Sequence, residues 1–271
     1  MYYYPEVYKF NNIEKYNELE VVNTGTGFGY YDFIYDELPV KAFNFSLTQQ
    51  TLLYDYMILK RYAYKMKKGC KVILTMPYCI FLTYKLKEAE EKKERYYSVL
   101  APEDISNDCK ITYEDYLNGL CRDNDEKLEI MTALDDETME LQSINAIETW
   151  IKQLSIISFQ SGELSEVACS EINKTKKVFR EIIEFCKSEN FEPIIVIPPM
   201  SRVLLDKISD EFRKTHFYEP LEQVVKNEYM ILDYTKDVYY TNPHFYGWPG
   251  FLIKSTAKEF TRDVLEKIGL L

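Results

Sequence analysis

The sequence predicts a three-layer, flavodoxin-like α/β fold: a parallel sheet of about five strands between two layers of helices. Two observations predict it. Five short apolar runs recur, at residues 19–23, 40–45, 71–76, 193–197 and 229–233. The richest of them, Val72-Ile73-Leu74 and Ile194-Ile195-Val196-Ile197, are continuous and β-branched, as strands covered on both faces read. Segments with helical period lie between the runs, and alternation of strand with helix is the pattern of a parallel sheet.

Taken in order, residues 48–67 place Leu52, Tyr56, Leu59 and Tyr62/Ala63 on one stripe, with Thr48 as a natural N-cap. Residues 172–187 do the same with Phe179, Ile182, Ile183 and Cys186. Shorter helices are expected at 201–213 and 219–226. Residues 254–268 close the chain on Ala257, Phe260, Val264 and Leu265, and Gly269 is a plausible stop. Residues 84–165 break the alternation. They begin with a charge run of both signs at 85–95, expected as a solvated helix. Acidic clusters at 123–126 and 135–140 follow, then an amphipathic pattern at 144–157. No Pro/Gly/Ser-rich linker flanks this stretch, so it reads as a helical insertion within a single domain spanning 1–271, packed beside or over the strand ends.

Composition excludes several classes. Hydrophobic residues make up 46% and aromatics 15%, which is too much apolar surface for a disordered chain. The 33 basic against 44 acidic residues give a net charge of −11, the wrong sign for a nucleic-acid partner. No apolar run is long enough for a transmembrane helix, and residues 1–20 lack the apolar core of a secretory signal. A cytoplasmic location with reduced thiols is therefore expected for the six cysteines. They form no CxxC pair and no zinc spacing, and two histidines exclude a poly-histidine centre. No metal and no cofactor is expected.

In a sheet of this kind ligands bind beyond the carboxyl ends of the strands. The first strand runs into Asn23-Thr24-Gly25-Thr26-Gly27-Phe28-Gly29. A dinucleotide fingerprint fails here, because Tyr30 takes the third glycine position and the second strand ends in Asn44-Phe45-Ser46 without an acid. No GK[ST] follows either. The second turn carries Asn44 and Gln49, amides able to face an oxyanion. The last turn, at residues 241–251, is dense in aromatics and holds His244; His216 reads as the polar end of a helix.

These turns, in this order, resemble the SGNH hydrolase superfamily, in particular its DltD-like branch of cell-envelope polysaccharide proteins. The resemblance rests on residues 21–29, on 43–52 with Tyr54-Asp55-Tyr56, on 96–102, and on Phe245-Tyr246-Gly247-Trp248-Pro249-Gly250-Phe251. It implies a cleft for acyl or glycan ligands at the strand ends. In that family a serine in the first turn attacks an acyl carbonyl, and a C-terminal Asp-x-x-His supplies the base. Here the serine position falls on Gly27, with the Thr26 hydroxyl one place early. Asp-x-x-His falls on Asn242-Pro243-His244-Phe245, and the oxyanion glycine on Gln49. The asparagine of the third block has no counterpart in residues 76–79.

Two readings follow. In the first, the chain keeps the cleft without the chemistry and binds a glycan or acylated ligand through Asn23, Gly25, Gly27, Asn44, Gln49, Tyr78, Asn242, Phe245 and Trp248, in a cleft to which Phe28, Tyr30, Tyr31 and Tyr246 also add rings. In the second, it is an atypical O-acyltransferase or esterase. Thr26 is then the nucleophile and His244 the base, oriented by Asp233 or Asp237, with Asn44 or Gln49 at the oxyanion.

Overall fold

The computed structural model describes residues 4–84, 86–105, 109, 111–119 and 131–271. The acidic cluster at 123–126 and Cys121 lie outside the described residues. Strand β1 (Leu19–Thr24) leads into the short helix α1 (Gly27–Asp32), followed by β2 (Ala42–Asn44), α2 (Leu52–Tyr62) and β3 (Met66–Thr75). Helices α3 (Lys87–Glu91), α4 (Tyr113–Gly119) and α5 (Asp136–Leu154) and the hairpin β4 (Ile156–Ser158) and β5 (Glu163–Leu164) come next. The alternation resumes with α6 (Glu166–Ser188), β6 (Glu192–Ile197), α7 (Arg202–Leu205), α8 (Asp210–Arg213), α9 (Glu219–Val225) and β7 (Met230–Asp233). A small hairpin, β8 (Tyr246–Trp248) with β9 (Phe251–Leu252), precedes α10 (Lys254–Lys267).

The sheet is the five-stranded parallel one, in the order β2-β1-β3-β6-β7. That is the doubly wound order in which the chain reverses direction between β1 and β3. Register brings the carboxyl ends level: Asn23 faces Asn44, Thr24 faces Leu74, Thr75 faces Val196 and Ile197 faces Asp233. Five turns therefore open on one edge. One face of the sheet packs Val22, Val72, Leu74, Ile195 and Ile197 under α2 and α6; the other packs Val21, Ile73, Ile194 and Val196 under α10. β1, β3 and β6 each supply both faces by alternation, which is why the central runs are continuously apolar. The long helices are capped as their sequences allow. Asp135 accepts from Thr138 N–H at 2.8 Å and Ser165 from Ala168 N–H at 3.2 Å. Gly269, at φ 74°, ends α10 with Leu270 N–H on Leu265 O at 2.9 Å.

Three expectations need correction. The helix expected over 48–67 is confined to α2. Gln49 is left-handed at φ 53°, so the helix starts after Thr51 and not after Thr48, whose hydroxyl instead donates to Glu6 at 3.3 Å. From Met66 the backbone joins the sheet, pairing with Leu19. The buried stripe of α2 is also shifted: Asp55 is buried on it while Tyr56 is only half-buried.

The charge run at 85–95 is not a solvated helix throughout. After α3 the chain enters a 3-10 segment, Lys93–Ser98, and Lys93, Glu94 and Arg95 turn inward. They meet the N-terminal 3-10 segment Pro5–Lys15, whose Val7, Tyr8, Phe10 and Ile13 belong to the core. Arg95 is fully buried. It donates to Glu6 at 3.1 Å, to the Thr48 hydroxyl at 3.4 Å and to the Tyr96 hydroxyl at 3.3 Å. Tyr4 donates to Glu94 at 2.6 Å. A pattern reading cannot see this, because the burial comes from a segment about ninety residues away.

A buried ion pair contributes little on balance, but removing one partner leaves the other charge uncompensated. Glu6→Ala is thus expected to cost about 3 kcal/mol in urea unfolding. Glu20→Ala, which opens the half-exposed Lys67–Glu20 pair at 2.8 Å, should cost below about 1 kcal/mol.

Candidate functional site

A cavity of about 360 Å³ opens at the carboxyl edge of the sheet. Four of these turns contribute a wall: Thr26, Gly27 and Phe28 after β1, Thr48 and Gln49 after β2, Pro77 to Ile80 after β3, and Met200 after β6. The insertion covers it with Trp150, Gln153 and Leu154 of α5, and the C-terminal hairpin closes it with Trp248 and Phe251. None of its described lining residues carries a formal charge. Sheet order grades the lining. Thr48, Gln49 and Thr26 stand toward the β2 and β1 end, whereas Pro77, Ile80 and Met200 stand toward β3 and β6. The Cys79 thiol on the wall is pushed up by burial, which keeps it protonated.

The floor is shaped by the β1 turn. Gly25 has φ +133°, and a Cβ there would lie 2.8 Å from Thr75 Cβ, so only glycine fits. A Cβ on Gly27 would lie 2.6 Å from Cζ of Phe251. That ring is the hub of the aromatic wall, with ring centres 4.6 Å from Trp248, 4.8 Å from Tyr31 and 5.2 Å from Phe28. Trp150 reaches Trp248 at 6.3 Å, edge to face.

Of the residues singled out from sequence, the structure brings Thr26, Gly27, Phe28, Tyr31, Gln49, Tyr78 and Trp248 together on this cavity. Asn23, Gly25 and Asn44 lie behind it. The Asn23 amide donates to Gly29 O, Asn44 Oδ1 and Ser46 Oγ, and the Asn44 amide donates to Gly29 O and Phe33 O. Both therefore fasten α1 to the sheet, and neither faces an oxyanion. Tyr30, Phe245 and Tyr246 are also off the lining; Tyr246 is buried with its hydroxyl on Tyr240 O at 2.6 Å.

His244 is exposed and does not line the cavity that Thr26 lines. Its backbone N–H donates to Asn242 Oδ1 at 3.1 Å, so Asn242 caps the local turn. The carboxylates that could orient an imidazole are engaged elsewhere. Asp237 accepts the N–H groups of Tyr239 and Tyr240 at 2.9 and 3.3 Å. Asp233 accepts from Thr235 Oγ1 at 2.6 Å and from the Tyr218 hydroxyl at 2.8 Å. Tyr78, whose ring is on the cavity wall, reaches the same group through Thr235 Oγ1 at 2.6 Å. His216 packs on Phe212 and bonds Gly162 O at 2.7 Å.

Pattern reading missed Trp150 and Asp55. Trp150 comes from the insertion, which no local signal ties to the strand ends. Asp55 did leave a signal: it is an acid three residues after Leu52 and four before Leu59, on the buried stripe of α2. Its Oδ1 accepts Gly25 N–H at 3.0 Å and the Gln50 amide, while Oδ2 has no partner. Burial holds its carboxyl up at about 7, against only partial opposition from those two hydrogen bonds.

No protein-family model matches the chain, and no curated protein is significantly similar to it. Among the described residues no helix is long and apolar enough to cross a membrane, and no group of three or more His, Cys, Asp or Glu side chains is placed to hold a metal.

A carboxyl whose folded value lies above its unfolded one binds an extra proton in the folded state, so stability falls as pH rises between the two values. For Asp55 that window runs from 3.8 to about 7. Asp55→Asn, which mimics the neutral acid, should leave stability near pH 4 almost unchanged. Relative to wild type it should gain up to about 4 kcal/mol by about pH 8 in denaturant melts.

Proposed function

We propose that the chain is a catalytically degenerate SGNH-hydrolase-like protein that binds an uncharged acylated or glycan ligand of cell-envelope or extracellular polysaccharide. One observation carries the binding reading: the Phe251 ring is packed against Gly27 so closely that a Cβ there would have to displace it. Gly27 is the position where the resemblance expects the nucleophilic serine. An aromatic wall thus takes the space that a side-chain nucleophile needs. The lining supports the ligand class. Aromatic faces suit an aliphatic chain or the apolar face of a sugar, and the amides and hydroxyls at one end suit a carbonyl or hydroxyl group. The lack of charge among the described lining residues disfavours a ligand with a buried carboxylate or phosphate.

The acyltransferase reading needs Thr26 and His244 within hydrogen-bond reach or bridged by one water. With His244 exposed and off the cavity, and Asp233 and Asp237 engaged, it draws no support from the geometry.

The protein has two tryptophans, Trp150 and Trp248, and both line the cavity. Tryptophan emission should therefore change saturably on titration with methyl octanoate. Trp150→Ala should weaken that binding about tenfold, the equivalent of about 1.4 kcal/mol. Absence of a saturable change would refute the cavity reading. p-Nitrophenyl butyrate should not be turned over above buffer. Turnover lost in both Thr26→Ala and His244→Ala would establish the acyltransferase reading instead.

A further inference from the structure

Asp55 lies directly beneath the turn that presents Thr26. It is fully buried, its Oδ1 carries two donors, and its Oδ2 carries none. Among the described residues no lysine or arginine bonds it. The titratable group that faces it is Tyr96, from the 3-10 segment Lys93–Ser98. Beyond Tyr96, Arg95 is already committed to the Tyr96 hydroxyl and to Glu6. Its own helix contributes Tyr54, whose ring stacks on Tyr96 at 3.8 Å. β1 and β3 bring no ionisable side chain to that end, only Thr24 and Thr75, whose buried hydroxyls have no partner and so are not bonded to Asp55.

A buried carboxyl in such a shell has two unequal states. Protonated, it places no charge in the shell, and Oδ1 still accepts its two donors. Ionised, it leaves a charge with one oxygen bare in a low-dielectric site, a state relieved by admitting water or moving the backbone that touches it. The backbone that touches it is Gly25 N–H. From there the path to the cavity is two residues long: Thr26 lines it, and Gly27 lies against Phe251, whose ring centre is 4.6 Å from that of Trp248.

We propose that Asp55 is a positioning residue whose protonation state sets the turn at residues 25–27, and through Phe251 and Trp248 the shape and affinity of the cavity. The neutral acid holds the turn as described; ionisation loosens it. The effect on affinity rests on the reading of the cavity as a ligand site, whereas the effect on the turn does not.

The test follows tryptophan emission of the ligand-free protein, and the affinity of the neutral probe N-phenylnaphthylamine, from about pH 5.5 to about pH 8.5. Wild type and Asp55→Asn are compared. In wild type, emission should pass through one transition near neutral pH and affinity should fall about threefold or more across it. Asp55→Asn should keep the low-pH emission and affinity throughout, a result that a purely structural role for Asp55 does not give. Asp32, the other buried carboxyl nearby, holds Leu252 N–H at 2.9 Å and stays ionisable in this variant. A transition that persists in Asp55→Asn therefore belongs to another group and overturns the proposal, as does a flat wild-type profile. If the probe fails to bind at every pH, the cavity reading falls, and the ligand-free emission still decides the role of Asp55.

Discussion

The fit of the β1 turn between the sheet and the C-terminal hairpin is the constraint on which the site depends. Gly25 passes against Thr75 on one side and Gly27 against Phe251 on the other, both closer than a side chain allows. Asn23 and Asn44 then fix the exit of the turn by holding the carbonyls of α1. With that turn in place the cavity floor, the orientation of Thr26 and the position of the aromatic wall are determined together. Interiors this close-packed do not deform gradually, so a change at the turn is passed to the rings that rest on it.

On the proposed reading, the same packing accounts for a cleft without hydrolytic chemistry. A triad needs a nucleophile, a base and an orienting acid in one place. Here the first position is closed by a ring, the histidine faces solvent, and the acids at the end of β7 are bonded to their own turn and to Tyr218. What is left is a chamber with rings on most sides and amides at one end.

Much of the architecture was legible because it depends on local pattern. The runs at 72–74 and 194–197 have to be central strands, since nothing else buries both faces of a short β-branched segment. The stripe Phe179, Ile182, Ile183 and Cys186 has to face the sheet, and all four are buried. Of the turns marked by glycine spacing and turn residues, Thr26, Gly27, Phe28, Thr48 and Gln49 line the cavity. The readings that failed concern polar groups. Asn44 looks the same in sequence whether its amide faces a ligand or the carbonyls of α1. Arg95 looks like a surface charge until the N-terminal segment covers it.

By itself, then, the amino-acid sequence determined the sheet, its helices and the edge where ligands are sought, because periodicity and steric preference act over a few residues. Only the tertiary structure decided which side chains meet there. It placed Trp150 over the cavity, took His244 away from it, and put Asp55 under Gly25. Those outcomes depend on contacts between segments far apart in the chain, and on whether a buried polar atom finds a partner, which no local pattern encodes.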